Sequence, residues 1–252
     1  MLKLAGPPAA EAVYEELRTL LTRLPYTPHL RVVRLGEDPA SVAYVRLKDR
    51  QARRLGLSSQ VDVFPASTSQ EALLAHVVRL NQDPGVDGIL VQSPLPPQVN
   101  FNTVLEAIDP KKDVDGLTPV NAGRMWMGLE ALESCTPAGV VRLLKHYGIP
   151  LAGKNAVIVG RSNLVGKPLA ALLLRENATV TLAHSRTQNL AEVCRRAEWW
   201  PRWVGRGSSP PRWCGLGRWW WTWASTGWGR MKGAATSWWG MWTLGWPRWL
   251  PR

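Results

Sequence analysis

Four stretches of this chain carry side chains whose types and spacing could do chemistry. Tyr44 and Lys48, in the run YVRLK, stand four residues apart. On a helix they share a face, so a phenol and an ammonium point the same way. Alone, such a pair is ordinarily a solvated lysine beside a half-buried tyrosine. Gln92 follows the apolar run GILV, and an amide at the carboxyl end of a buried strand sits where open α/β sheets bind ligands. Asp115 belongs to KKDVDG (111–116), whose bland reading is a solvated linker. The loop GRSNLVG (160–166) lies between a strand and a helix, where helix N–H groups face an anion. Gly160, Arg161, Ser162 and Gly166 are its binding candidates. The spacing is G-x-S-x-x-x-G rather than G-x-G-x-x-G, and a tight turn that needs glycine only for geometry is the alternative. After the next strand, where a carboxylate would meet a ribose hydroxyl, stand His184, Ser185 and Arg186. With Arg161 nearby, Ser185 and Arg186 suit a 2′-phosphate, which predicts NADP rather than NAD.

These residues need elements to hold them. Periodicity predicts helices over 9–24, 38–55 and 69–80, with strands at 29–35, 61–64 and 86–92 between and after them. Gly56 stops the second helix. Beyond a polar, Gly- and Pro-bearing stretch at 109–124, expected to be a domain boundary, come a helix at 137–147 and a strand at 155–160. A helix from Gly166, a strand at 179–183 and a helix at 190–196 follow. Strands apolar on both faces, alternating with helices, predict α/β architecture with parallel sheets in two domains. The expected division is 1–117, 118–198 (a Rossmann-like unit left incomplete) and a tail, 199–252.

Composition excludes several classes and isolates that tail. The 252 residues hold 31 Lys and Arg against 19 Asp and Glu, a net charge of +12 that would ordinarily suggest a polyanion partner. All 19 acids lie in 1–198 with 23 bases, whereas 199–252 hold 8 bases, no acid and 14 of the 15 tryptophans. Cys135, Cys194 and Cys214 are too widely spaced for a disulfide framework or a zinc cluster, and four scattered histidines add no metal-ligand spacing. No metal is expected. The N-terminus lacks the apolar core of a signal peptide, and no run approaches the roughly 18 apolar residues of a membrane helix. A reduced, cytoplasmic protein is the expectation.

In order along the chain, YxxxK, GILVQxPLP, KDVDG, CTPxG (135–139) and GRSxxVGxP resemble the bifunctional methylenetetrahydrofolate dehydrogenase/cyclohydrolase family. The resemblance covers nearly all of 1–198. It departs at Ser93, where the family often has Leu, and at Ser134, where Pro usually precedes the Cys; neither is expected to touch chemistry. It implies an NADP-dependent oxidation of methylenetetrahydrofolate, then hydrolysis to 10-formyltetrahydrofolate, in a cleft between domains. Lys48 would be catalytic base or polarising group, Tyr44 and Gln92 would hold it, and Asp115 would bind the pterin. A cationic methenyl carbon calls for an activated water and proton transfer rather than a nucleophilic side chain. The partners implied are one-carbon tetrahydrofolates and a second copy of the chain, with neither nucleic acid nor membrane. Short-chain oxidoreductases also use YxxxK, but there the dinucleotide loop precedes the pair, whereas here Gly160 follows it.

The tail shows no helical or strand period. Stacking on nucleic acid or lying in a membrane interface are its functional readings, either of which would suit an inactive homologue with a basic tail. The genetic code offers another. Tryptophan is TGG and valine is often GTG, so a GTG run read one nucleotide late becomes a run of Trp. Read one nucleotide back, residues 219–226 become VVVDVGVN, residues 199–205 become VVAxVGR and residues 238–243 become LVGDVD. A frameshift near Glu198 is the expectation, together with a nucleotide-binding sheet that stops after two strands.

Overall fold

A computed structural model describes residues 4–197, 199–204 and 219–224. Its first part alternates α1 (Gly6–Leu21), β1 (His29–Leu35), α2 (Pro39–Arg54), β2 (Ser58–Phe64), α3 (Gln70–Gln82) and β3 (Gly88–Val91). The strands form a parallel sheet of order β2-β1-β3, with central Val32 and Val33 fully buried. α1 begins three residues before the periodic run because Pro7 and Pro8 occupy its first turn, where a missing N–H costs nothing. The Asp38 carboxylate accepts from Ser41 N at 2.8 Å and starts α2.

Two helices that periodicity did not predict follow, α4 (Phe101–Ala107) and α5 (Pro119–Trp126). The second corrects the reading of 109–124 as a mere boundary. Thr118 caps α5 and Pro119 takes its first position, while the helix buries Asn121 and Met125. Its inner face is partly polar: beside Met125, Asn121 Nδ2 donates to the buried Asp113 Oδ2 at 3.0 Å and to Pro110 O at 2.8 Å. An apolar pattern cannot find such a helix.

The second sheet is built from α6 (Cys135–His146), β4 (Asn155–Val159), α7 (Gly166–Arg175), β5 (Thr179–Ala183), α8 (Leu190–Arg195), β6 (Trp199–Val204) and β7 (Trp219–Ala224). Its order is β5-β4-β6-β7, all parallel. The expectation of a sheet ending after two strands is therefore corrected. β4 has a second edge of unpaired N–H and C=O groups, and Trp- and Val-bearing segments have strong strand propensity. Lack of alternation hid β6 and β7, as it does for most parallel strands. They coincide with two of the three windows that decode into Val-rich sequence; the third, 238–243, and Cys214 lie outside the described residues. One apolar core runs from α1 and β1 through α6 to α7 and β4, so both sheets share it.

Candidate active site

A cleft of about 340 Å³ opens at the carboxyl end of β3 and gathers residues from six segments. Tyr44 and Lys48 enter from α2, Gln92 follows β3, and Asp115 comes from the loop after α4. The four predicted catalytic residues thus share one cavity. Lys48 Nζ donates to Gln92 Oε1 at 3.4 Å, and Gln92 Nε2 donates to Ser93 O at 2.7 Å. The second bond orients the amide so that its oxygen faces the ammonium. Ser93 takes part through its carbonyl, which also receives Ser41 Oγ at 3.5 Å, so its side-chain identity is open. Burial raises the Tyr44 hydroxyl above its ordinary value, keeping it a neutral phenol.

The loop that delivers Asp115 is fastened at both ends. Lys112 Nζ donates to the carbonyls of Leu80, Asn81 and Asp83 at 2.7–3.1 Å, a cation on the C-terminus of α3. Asp113 is 1% exposed and accepts from Thr118 N at 2.8 Å as well as from Asn121. Burial raises its carboxyl above the usual range, against the lowering effect of these bonds. Within KKDVDG, therefore, Lys112 and Asp113 build and only Asp115 reaches the cleft. Gly116 then presses on the next segment: a Cβ there would lie 2.3 Å from Glu133 C and 2.6 Å from Ser134 N, and φ is +61°. No other residue fits.

Residues that sequence reasoning left without a role also line the cleft, among them Ser134, Cys135, Leu164 and Val165. The Cys135 thiol donates to Val114 O at 3.1 Å. Burial pushes it well above its ordinary range; Asp115 acts in the same direction and Lys48 in the opposite one. The CTPxG pattern was a usable signal for Cys135, whereas no local pattern marks Leu164. Ser134, expected to be chemically silent, faces the site and donates through Oγ to Leu164 O at 2.9 Å.

The six predicted cofactor residues lie outside the cleft wall, at the carboxyl ends of β4 and β5. Gly160 N donates to Ala183 O at 2.8 Å, joining the two ends. A Cβ on Gly166 would stand 2.1 Å from Gly160 O, so glycine lets the loop fold onto the start of α7. Ser162 Oγ accepts from Val165 N at 3.1 Å and Gly166 N at 3.4 Å. Arg161, Ser185 and Arg186 are exposed beside it, and no carboxylate occurs between Glu176 and Glu192. This donor set fits a phosphorylated dinucleotide with a 2′-phosphate.

Comparisons with known proteins agree with this geometry. The catalytic-domain model of tetrahydrofolate dehydrogenase/cyclohydrolase matches residues 4–115, and the NAD(P)-binding-domain model of the same family matches 134–207. A bifunctional FolD protein of Thermus thermophilus is 66% identical over 195 residues, covering 77% of this chain and 69% of the relative. The chain belongs to the tetrahydrofolate dehydrogenase/cyclohydrolase family. Among solved structures of the family, the bifunctional enzyme from Campylobacter jejuni superposes with a TM-score of 0.76 at 40% identity, covering 79% of this chain and 72% of that one. The Trypanosoma brucei enzyme, solved with NADP and an inhibitor, gives 0.76 at 28% identity, covering 95% and 92%.

Proposed function

We propose that this chain oxidises methylenetetrahydrofolate to methenyltetrahydrofolate with NADP and hydrolyses that product to 10-formyltetrahydrofolate. The convergence of Tyr44, Lys48, Gln92 and Asp115 on one cleft carries the reading. Asp115, held by its anchored loop, binds the pterin. Lys48, oriented by Gln92, polarises the one-carbon unit and passes protons to and from the attacking water. Water adds to the cationic methenyl carbon and loses one proton, giving a carbinol. The C–N5 bond then breaks as the remaining hydroxyl proton passes to N5 and the C=O forms, leaving the formyl group on N10. Tyr44, a neutral phenol in the same cleft, helps hold Lys48 in place. When bound, NADP supplies the hydride acceptor for the first reaction, and Gly160, Arg161, Ser162, Gly166, Ser185 and Arg186 would hold it. Lys48→Gln tests the reading: methenyl hydrolysis should fall about 100-fold or more, the lower range for a lost proton-transfer group, with dehydrogenation kept in part. Unchanged hydrolysis would sink it.

We infer further that the sequence after Glu198 is an out-of-frame reading of the same enzyme. The Thermus thermophilus relatives align over 195 residues, and β6 and β7 occupy windows that can decode into Val-rich strands. The nucleotide sequence across codon 198 decides this. The same reading has a folate catalytic domain at 1–117, a nucleotide domain from 118 and a cytoplasmic homodimer. Sedimentation equilibrium checks the stoichiometry. Among the described residues no helix is long and apolar enough to cross a membrane.

A further inference from the structure

Ser134 stands at the N-cap of α6, where a serine hydroxyl ordinarily accepts from the helix's own second or third N–H. Here its side chain makes no such bond. The hydroxyl instead donates across 30 residues of sequence to Leu164 O at 2.9 Å, and the residue is only 3% exposed. Leu164 lies inside the loop 160–166 between β4 and α7, so the bond reaches the segment that would carry the nucleotide.

The other side of Ser134 is equally constrained. Gly116 packs against its peptide so tightly that a Cβ would overlap it, and Gly116 directly follows Asp115. The preceding Glu133, 8% exposed, pairs with Arg175 at the end of α7. The 133–134 segment is thus wedged between the loop that presents Asp115 and the loop at the head of α7. A shift of either loop must move the Ser134 peptide, or break this partly buried hydrogen bond.

We propose that Ser134 is a positioning residue that couples nucleotide binding at the 160–166 loop to folate binding beside Asp115. This rests on the function proposed above. Occupying the loop fixes Leu164 O; Ser134 then holds Gly116 and Asp115 in place, so the second ligand finds its wall already set. Coupling of this kind is reciprocal, so folate must tighten NADP by the same factor as NADP tightens folate. The tether contributes one partly buried hydrogen bond, a factor of roughly five in affinity.

Titration calorimetry on the whole chain, with NADP alone and in the presence of tetrahydrofolate, tests the proposal. The wild-type chain should bind NADP about fivefold more tightly when tetrahydrofolate is present. Ser134→Ala should lose most of that enhancement, and Ser134→Thr, which keeps the hydroxyl, should restore it. Ser134→Cys repeats the measurement with a weaker donor of similar size if the alanine variant does not fold. Hydrogen exchange of the 160–166 peptides should speed up in the alanine variant and not in the threonine one. An enhancement that survives in Ser134→Ala, or in Ser134→Cys where the alanine variant does not fold, overturns the coupling. A wild-type chain that binds both ligands without mutual effect overturns it too, yet leaves the proposed function standing; one that binds neither overturns both.

Discussion

In the reaction proposed above, Lys48 carries the proton chemistry, and its partner Gln92 orients its ammonium. The amide oxygen of Gln92 is the acceptor for Nζ at 3.4 Å, and its nitrogen is committed to Ser93 O. Gln92→Leu keeps the volume and removes the acceptor. Methenyl hydrolysis should fall roughly tenfold, with KM changed less than kcat, because an oriented ammonium matters most where charge moves. A change in KM alone would assign Gln92 to binding. In the loop between β4 and α7, Arg161 is exposed, as are Ser185 and Arg186 after β5, and the sequence between Glu176 and Glu192 holds no carboxylate. Arg161→Ala should weaken NADP about tenfold and NAD less than twofold, since charge-assisted bonds to a phosphate vanish only for the former. Equal losses, read by fluorescence titration of each nucleotide, would refute the 2′-phosphate assignment.

At the scale of elements, the loop from Lys112 to Thr118 and α5 behave as one unit closed around Asp113. Asp113→Ala leaves the Thr118 N–H and the Asn121 amide buried without their acceptor, at about 1–3 kcal/mol. The melting temperature should drop, and hydrolysis with it, because Asp115 is delivered by the same loop. The pH dependence follows from the raised carboxyl of Asp113. The folded chain holds this proton more tightly than the unfolded chain. Its contribution to stability is therefore fully present below the ordinary carboxylate range and declines as pH rises through the raised value. Asp113→Asn cannot titrate, so the stability of the wild-type chain relative to this variant should fall with rising pH in denaturant melts. A constant difference would contradict the burial effect. This unit also marks where sequence reading stopped. α2 and the strand before Gln92 were legible because caps and apolar periods are local signals. α5 was not, since Asn121, bonded to Asp113, shares its inner face with Met125 and breaks the apolar period. The bond from Ser134 to Leu164 joins residues 30 apart with no periodic trace.

For the whole molecule the question is what completes the second sheet. β4 lies between β5 and β6 in register, and β7 extends the sheet by pairing with β6 along all six residues. The backbone thus has the strands that a nucleotide domain needs, although the sequence occupying them is rich in tryptophan. Parallel strands covered on both faces favour Val and Ile, and each buried indole also needs a partner for its N–H. Read one nucleotide back, the same two windows become VVAxVGR and VVVDVGVN, which meet both demands. Overpacking a close-packed core costs roughly 1–3 kcal/mol per site, against a typical total stability of roughly 5–15 kcal/mol. The folate half, with intact Tyr44, Lys48, Gln92 and Asp115, shares its core with α6 and α7, so loss in the sheet spreads into it. Restoring the frame after Glu198 should therefore raise the melting temperature of the whole chain and sharpen its transition. NADP should bind at least about tenfold more tightly, since a loop on a better-packed sheet is better ordered before the ligand arrives. Calorimetric melting and NADP titration of the two chains side by side measure both effects. Equal midpoints and equal affinities would show that the tryptophan-bearing strands complete the sheet as well as valine does, and the frameshift would then have no functional consequence.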